Sequence, residues 1–152
     1  MDYPNIFTAP VVEQAVNRVN KLNTTSSPQW GKMNATQMFA HCNVAYEMAY
    51  ENIHAKPNVF VRMILKLFVK NKVCGLAPYP RNSATAPQFK IRDGRDFEVE
   101  KNRLINYLKK TQQIGEKAFD QKESDSFGRL TANEWNTMFY KHLNHHLTQF
   151  GV

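Results

Sequence analysis

The chain has 152 residues, of which 42% are apolar and 12% aromatic; this is the length of one ordinary domain and argues for a folded globule rather than a disordered chain. The formal charge of +7, from 20 Lys and Arg against 13 Asp and Glu, is scattered without a long basic run, so a solvated surface accounts for it better than a nucleic-acid interface. The only cysteines are Cys42 and Cys74; Cys42 reads as a buried free thiol and points to a reducing cytoplasm, while the opening MDYPNIF lacks the charged start and apolar run of a secretory signal.

In chain order, Pro10 opens a first helix running to Leu22, with Val11, Ala15, Val19 and Leu22 along one side. The polar loop Asn23 to Gly31 ends it. Asn34 caps a second helix from Ala35 to about Asn52, with Gln37 at the third position; Met38, His41, Cys42, Ala45 and Ala49 form its inward stripe, and Glu47 and Glu51 fall outside. A short third helix follows Pro57. Its core, Val59 to Val69, is about half the length needed to span a bilayer and gathers Arg62, Lys66 and Lys70 on one face. That spacing predicts burial of Phe60, Met63, Ile64, Leu67 and Phe68 against the domain or a partner subunit, ahead of a membrane-surface role.

Three prolines and an Asp-Gly turn make Gly75 to Arg95 a long irregular loop, which in a compact domain is more often functional than idle. Asp96 caps a fourth helix with Phe97, Leu104, Leu108 and the stretch Thr111 to Ile114 on its buried side. A polar connector, Asp120 to Gly128, leads to a terminal helix from Thr131 to Gln149, where Thr131 and Glu134 have capping-box spacing. No segment reads as a strand. The expected fold is all-α: a four-helix bundle with an additional short helix and a long loop, in a single domain over residues 1–152.

On the terminal helix Trp135, Met138, Phe139, His142, His146 and Gln149 share one stripe, so two histidines occupy positions where core residues belong. Four residues apart, His142 and His146 can point at one atom, as two metal ligands must; two hydrogen-bonded structural histidines satisfy the same spacing. His145 lies to the side. In a bundle, His41 of the second helix can approach this pair, and three imidazoles with an open fourth position describe a catalytic-type site for zinc or a similar divalent ion. Gln149 orients a ligand or caps the helix end, Trp135 and Trp30 serve as core or site-wall aromatics, Met38 lies on the stripe leading to His41, and His54 reads as surface. The His-Glu-x-x-His pattern of zinc proteases is missing, and with it a built-in general base.

The segments WGKMNATQMFAHC (Trp30 to Cys42), TAPQF (Thr85 to Phe89), DFEVEKNRL (Asp96 to Leu104) and FGRLTANEWNTMFYKHLNHHLTQFGV (Phe127 to Val152) resemble the DinB/YfiT-like metalloenzyme superfamily, in a branch ending in His-x-x-His-His-x-x-Gln-Phe-Gly. The resemblance covers nearly the whole chain and is most specific at its two histidine-bearing regions. It implies an up-down-down-up bundle, a homodimer, and a divalent metal on His41, His142 and His146, with zinc or nickel foremost and iron or manganese compatible. It also implies small-molecule chemistry with a low-molecular-weight thiol, for which the loop cations Arg81, Lys90, Arg92 and Arg95 offer anion contacts unless they are simply solvated. The competing expectation is a non-catalytic, stress-associated binding protein whose metal, if any, ties helices together. DNA binding ranks last and membrane association is not expected.

Overall fold

The computed structural model describes residues 3–152, most of them in five helices. Helix α1 spans Ala9–Asn20, with Pro10 in its first turn, where a missing amide hydrogen costs nothing. Helix α2, Ala35–Tyr50, starts at a complete capping box: the Asn34 side chain accepts from the Gln37 amide and the Gln37 side chain accepts from the Asn34 amide. Helix α3 covers residues 59–74 and is interrupted by a π-turn at Leu65–Val69. Helix α4, Phe97–Ile114, is capped by Asp96, and helix α5, Ala132–Gln149, by the Thr131 and Glu134 capping box. Among the described residues no helix is long and apolar enough to cross a membrane.

Helix α2 packs along α4 on one side and α5 on the other; α1 lies against α4, and the C-terminal part of α3 against α5. The core between them is strongly aromatic. Tyr46 of α2 stacks on Phe139 of α5, with centroids 4.7 Å apart and planes 7° from parallel, and on Tyr107 of α4 at 5.5 Å. Phe119 and Trp135 close one end of this stack. Cys42 and Cys74 are both free and buried, and burial pushes the Cys74 thiol up to about 12.

Four expectations from sequence are corrected. The polar connector contains a small antiparallel ribbon, β1 (Lys122–Ser124) with β2 (Gly128–Leu130), in the register Lys122 to Leu130, Glu123 to Arg129 and Ser124 to Gly128. Runs of three residues are too short for a period-2 pattern to register. Glu47 does not face outward: it is buried, where the Arg103 guanidinium reaches it at 2.5 Å and also bonds Glu100, itself buried and held by Asn43. His54, read as surface, is half-buried with its ring 2.7 Å from Glu47.

Helix α3 does not bury its expected apolar face against its own domain. Arg62 pairs with Glu123, Lys70 bonds Glu134 at 2.7 Å, and the strip facing the body is the narrow line of Leu65, Val69 and Val73. Phe60, Met63, Ile64, Leu67 and Phe68 face away from it. Periodicity sorts the two faces of such a helix but does not say which one meets the domain; here acidic partners 61 and 64 residues downstream of Arg62 and Lys70 decide it. The end of α3 is held by Lys141 of α5, whose buried ammonium donates to the carbonyls of Lys72, Gly75 and Ala77. A cation suits a helix C-terminus, where unpaired carbonyls concentrate negative charge.

Candidate metal centre

Helix α2 contributes His41 and helix α5 contributes His142 and His146, one turn apart on the face towards α2. Their candidate ligand nitrogens all lie within 4.8 Å of one another, and His41 Nε2 stands 2.9 Å from His142 Nε2. Ring centroids are 4.5 to 4.9 Å apart, with the His146 ring nearly perpendicular to that of His142. The cluster contains no carboxylate.

Each of two rings is fixed by an acceptor on its outer nitrogen. His41 Nδ1 lies 2.8 Å from the carbonyl of Phe89, and because a carbonyl only accepts, Nδ1 carries the proton and Nε2 offers its lone pair. His146 Nδ1 donates in the same way to Gln149 Oε1 at 2.8 Å. Gln149 is fixed in turn, its Nε2 donating to the Trp30 carbonyl at 2.6 Å while its own carbonyl accepts from the Gln29 amide at 2.7 Å. The Trp30 and Gly31 turn approaches so closely that a Cβ on Gly31 would sit 2.5 Å from Gln149 Nε2, and Gly31 has φ +83°, a conformation glycine adopts freely. Such outer hydrogen bonds set tautomer and ring direction in metal sites.

The electrostatics favour neutral imidazoles. Burial lowers His41, chiefly by desolvating its cation, although the bond to Phe89 opposes this. His142 is held well below its ordinary range by burial, reinforced by His146, His41 and His145. Burial and the neighbouring His41 bring His146 down to about 3. Neutral imidazole is the form that ligates a metal, so the residues fit a divalent ion by chemistry, by direction and by the inner lone pairs that the outer bonds leave on His41 and His146.

The other candidates lie at different distances from this centre. Gln149 touches it directly through His146. His145 is half-buried, edge-on to Trp30 at 5.9 Å and to Tyr79 at 5.7 Å, and its ring is not part of the cluster. Trp135 sits in the aromatic core against Phe119 and Phe139, with its indole donating to the Lys122 carbonyl at 3.3 Å. Met38 is fully buried and accepts from the Cys42 thiol. Of the loop cations, Arg81 stacks over Trp30 at 4.3 Å on a cavity of about 230 Å³ lined by Tyr79, His145 and Lys141, whereas Arg95 is engaged with Asp93 and Glu100.

Two residues escaped sequence reasoning. A single 3₁₀ turn, Pro87–Phe89, lays the Phe89 carbonyl on His41 and its ring 5.2 Å from His41 and 5.6 Å from His142. Tyr79, from the same long loop, stands edge-on to His142 at 6.4 Å. The available signal was the loop's length, which marks a segment as functional without naming its residues.

Fold and site together define a mostly helical protein with a buried group of three histidines able to hold a metal ion. The chain belongs to the family described as Protein of unknown function (DUF1569), which matches residues 5–151. No curated protein and no solved structure gives a match.

Proposed function

We propose that this protein is a divalent-metal-dependent enzyme of small-molecule thiol chemistry, built on a DinB-like four-helix bundle of α1, α2, α4 and α5, and acting in a reducing cytoplasm. The observation that carries the reading is the pair of outer hydrogen bonds, His41 to Phe89 and His146 to Gln149, which turn inner lone pairs towards His142 in a cluster without a carboxylate. His41, His142 and His146 would hold the ion, with zinc or nickel foremost. A bound ion supplies Lewis acidity that lets a thiol lose its proton at neutral pH.

The protein's own part is binding and exclusion of water. Phe89 and Tyr79 wall the histidines with aromatic rings, leaving a surface suited to an apolar acceptor. Arg81, held on Trp30, offers a guanidinium to a carboxylate carried by the thiol or its acceptor. Among the described residues the histidine cluster includes no carboxylate to serve as a general base, which favours a thiol nucleophile over an activated water.

A second reading, a non-catalytic binding protein, is favoured by one contact: His41 and His142 already lie 2.9 Å apart and can tie α2 to α5 by a hydrogen bond alone. Elemental analysis after prolonged dialysis, run beside His142→Ala, separates the two. About one equivalent of a transition metal in the wild type, lost in the variant, followed by turnover of thiols with electrophilic acceptors, supports the enzyme. Failure to take up zinc, nickel, iron or manganese sinks it.

A further inference from the structure

Helix α3 presents to solvent what a helix of this composition ordinarily buries. None of residues 59–69 is buried. Val59 is 87% exposed, Phe60 67%, Leu67 66% and Phe68 76%, with Met63 and Ile64 between them. Two ion pairs hold this orientation from the other side, Arg62 to Glu123 and Lys70 to Glu134. Scaled to whole side-chain areas, the outward residues present on the order of 700 Å² of apolar surface, more than the roughly 300–600 Å² of the largest patch on an ordinary monomer. The expectation that the protein stays clear of membranes rested on burial of these side chains, which the structure does not show.

Charge says what covers the face. Between Glu51 and Asp93 the chain has no acidic residue and eight Lys and Arg, while the remainder is nearly balanced at 12 basic to 13 acidic. The excess of +7 therefore originates in the segment that carries α3. Lys66 and Lys72 of α3 are exposed and make no ion pair among the described residues, whereas Arg62 and Lys70 do. Lys66 marks the seam between the two sides of the helix: it is exposed next to Leu67, yet lines with Lys70, Asn71 and Glu134 a cavity of about 290 Å³ on the body side. A lysine so placed keeps its ammonium at the level of lipid headgroups while its methylenes run along the apolar side chains. An apolar face fringed by cations and free of acids is the pattern of a helix that lies in the surface of an anionic bilayer. A second copy of the chain fits less well, because α3 has no acid to offset the unpaired lysines that two copies would bring together.

We propose that α3 docks on anionic membranes, with Phe60, Leu67 and Phe68 inserted at the acyl boundary and Lys66 at the lipid phosphates. This stands independently of the metal reading. The full chain should float with vesicles of mixed phosphatidylcholine and phosphatidylserine, and partition at least about tenfold less onto phosphatidylcholine alone. Lys66→Ala should lower partitioning by about fivefold, the effect of one cation near such a surface. The Phe60→Ser, Phe68→Ser double variant should abolish it at unchanged helical circular dichroism. The milder Leu67→Ala, expected to weaken it roughly tenfold, covers the case of a double variant that misfolds. A wild type that refuses both vesicles, binds both equally, or binds as well without its apolar side chains overturns the proposal. So does light scattering that gives twice the 17.6 kDa chain mass for the wild type and a monomer for Leu67→Ala, because a second copy then occupies the face.

Discussion

Gln149 shows how much one side chain decides at this site. It bonds His146 with its oxygen and the Trp30 carbonyl with its nitrogen, so that a ring and a distant turn share one amide. Gln149→Ala should leave the helices folded and lower metal affinity by roughly 10–100-fold, the usual effect of losing a partner behind a metal ligand. Gly31→Ala should act in the same direction by pushing Gln149 away. Competition with a chromogenic chelator measures both; wild-type affinity in both variants would show that Gln149 does not position the ring. Protons should compete too. His146 falls from an ordinary 6.5 to about 3 on folding, so the unfolded chain binds a proton that the folded one refuses. The corresponding stability is complete above about 6.5 and is lost as pH falls towards 3. The chelator-treated protein should therefore melt lower near pH 5 than at neutrality; a flat profile would contradict the neutral assignment. Helical spacing made the histidine stripe readable from sequence. The Phe89 carbonyl was not, because any residue can supply a backbone acceptor.

At the scale of elements, helix starts were legible because caps are local chemistry. Asn34 with Gln37, and Thr131 with Glu134, sit three residues apart in sequence and bond as that spacing requires. Asn34→Ala should cost about 1 kcal/mol in urea unfolding, as loss of a side-chain cap does. Contacts between elements were less legible. Glu47 looked outward because its partner, Arg103, lies 56 residues away on α4. Arg103→Ala would remove the cation shared by the buried Glu47 and Glu100, leaving His54 on the first and Arg95 and Asn43 on the second. About 3 kcal/mol of destabilisation is expected, at the low end for a broken buried pair because the guanidinium keeps some contact with water. A loss under about 1 kcal/mol would mean that water reaches these carboxylates in solution. The face of α3 was hidden for the same reason, since Glu123 and Glu134 are remote in sequence from the basic residues they hold.

For the whole molecule, a metal bound by α2 and α5 together would act as a strut between helices that otherwise meet through side-chain packing and the hydrogen bond from His142 Nε2 to His41 Nε2. Binding only to the folded state adds about 4 kcal/mol when free ligand is about a thousandfold above its dissociation constant. At roughly 2–4 °C per kcal/mol for a chain near this size, melting should rise by about 8–16 °C on saturation and fall back on chelation. Calorimetry with and without metal reads this directly; His142→Ala should abolish the difference. Three ligands spread over 106 residues of sequence make the site legible only once two helices are placed side by side, which is why spacing alone left the structural alternative open.

The two tryptophans are divided between core and site. Trp135 is enclosed by Phe119 and Phe139, whereas Trp30 is only partly buried, lies under Arg81, and is joined through its own carbonyl and Gln149 to His146. Emission from a Trp135→Phe variant would come from Trp30 alone. Nickel or copper would quench it and zinc would shift it, which turns a wall residue into an optical gauge of occupancy and allows binding kinetics to be followed on that single-substitution chain without a dye.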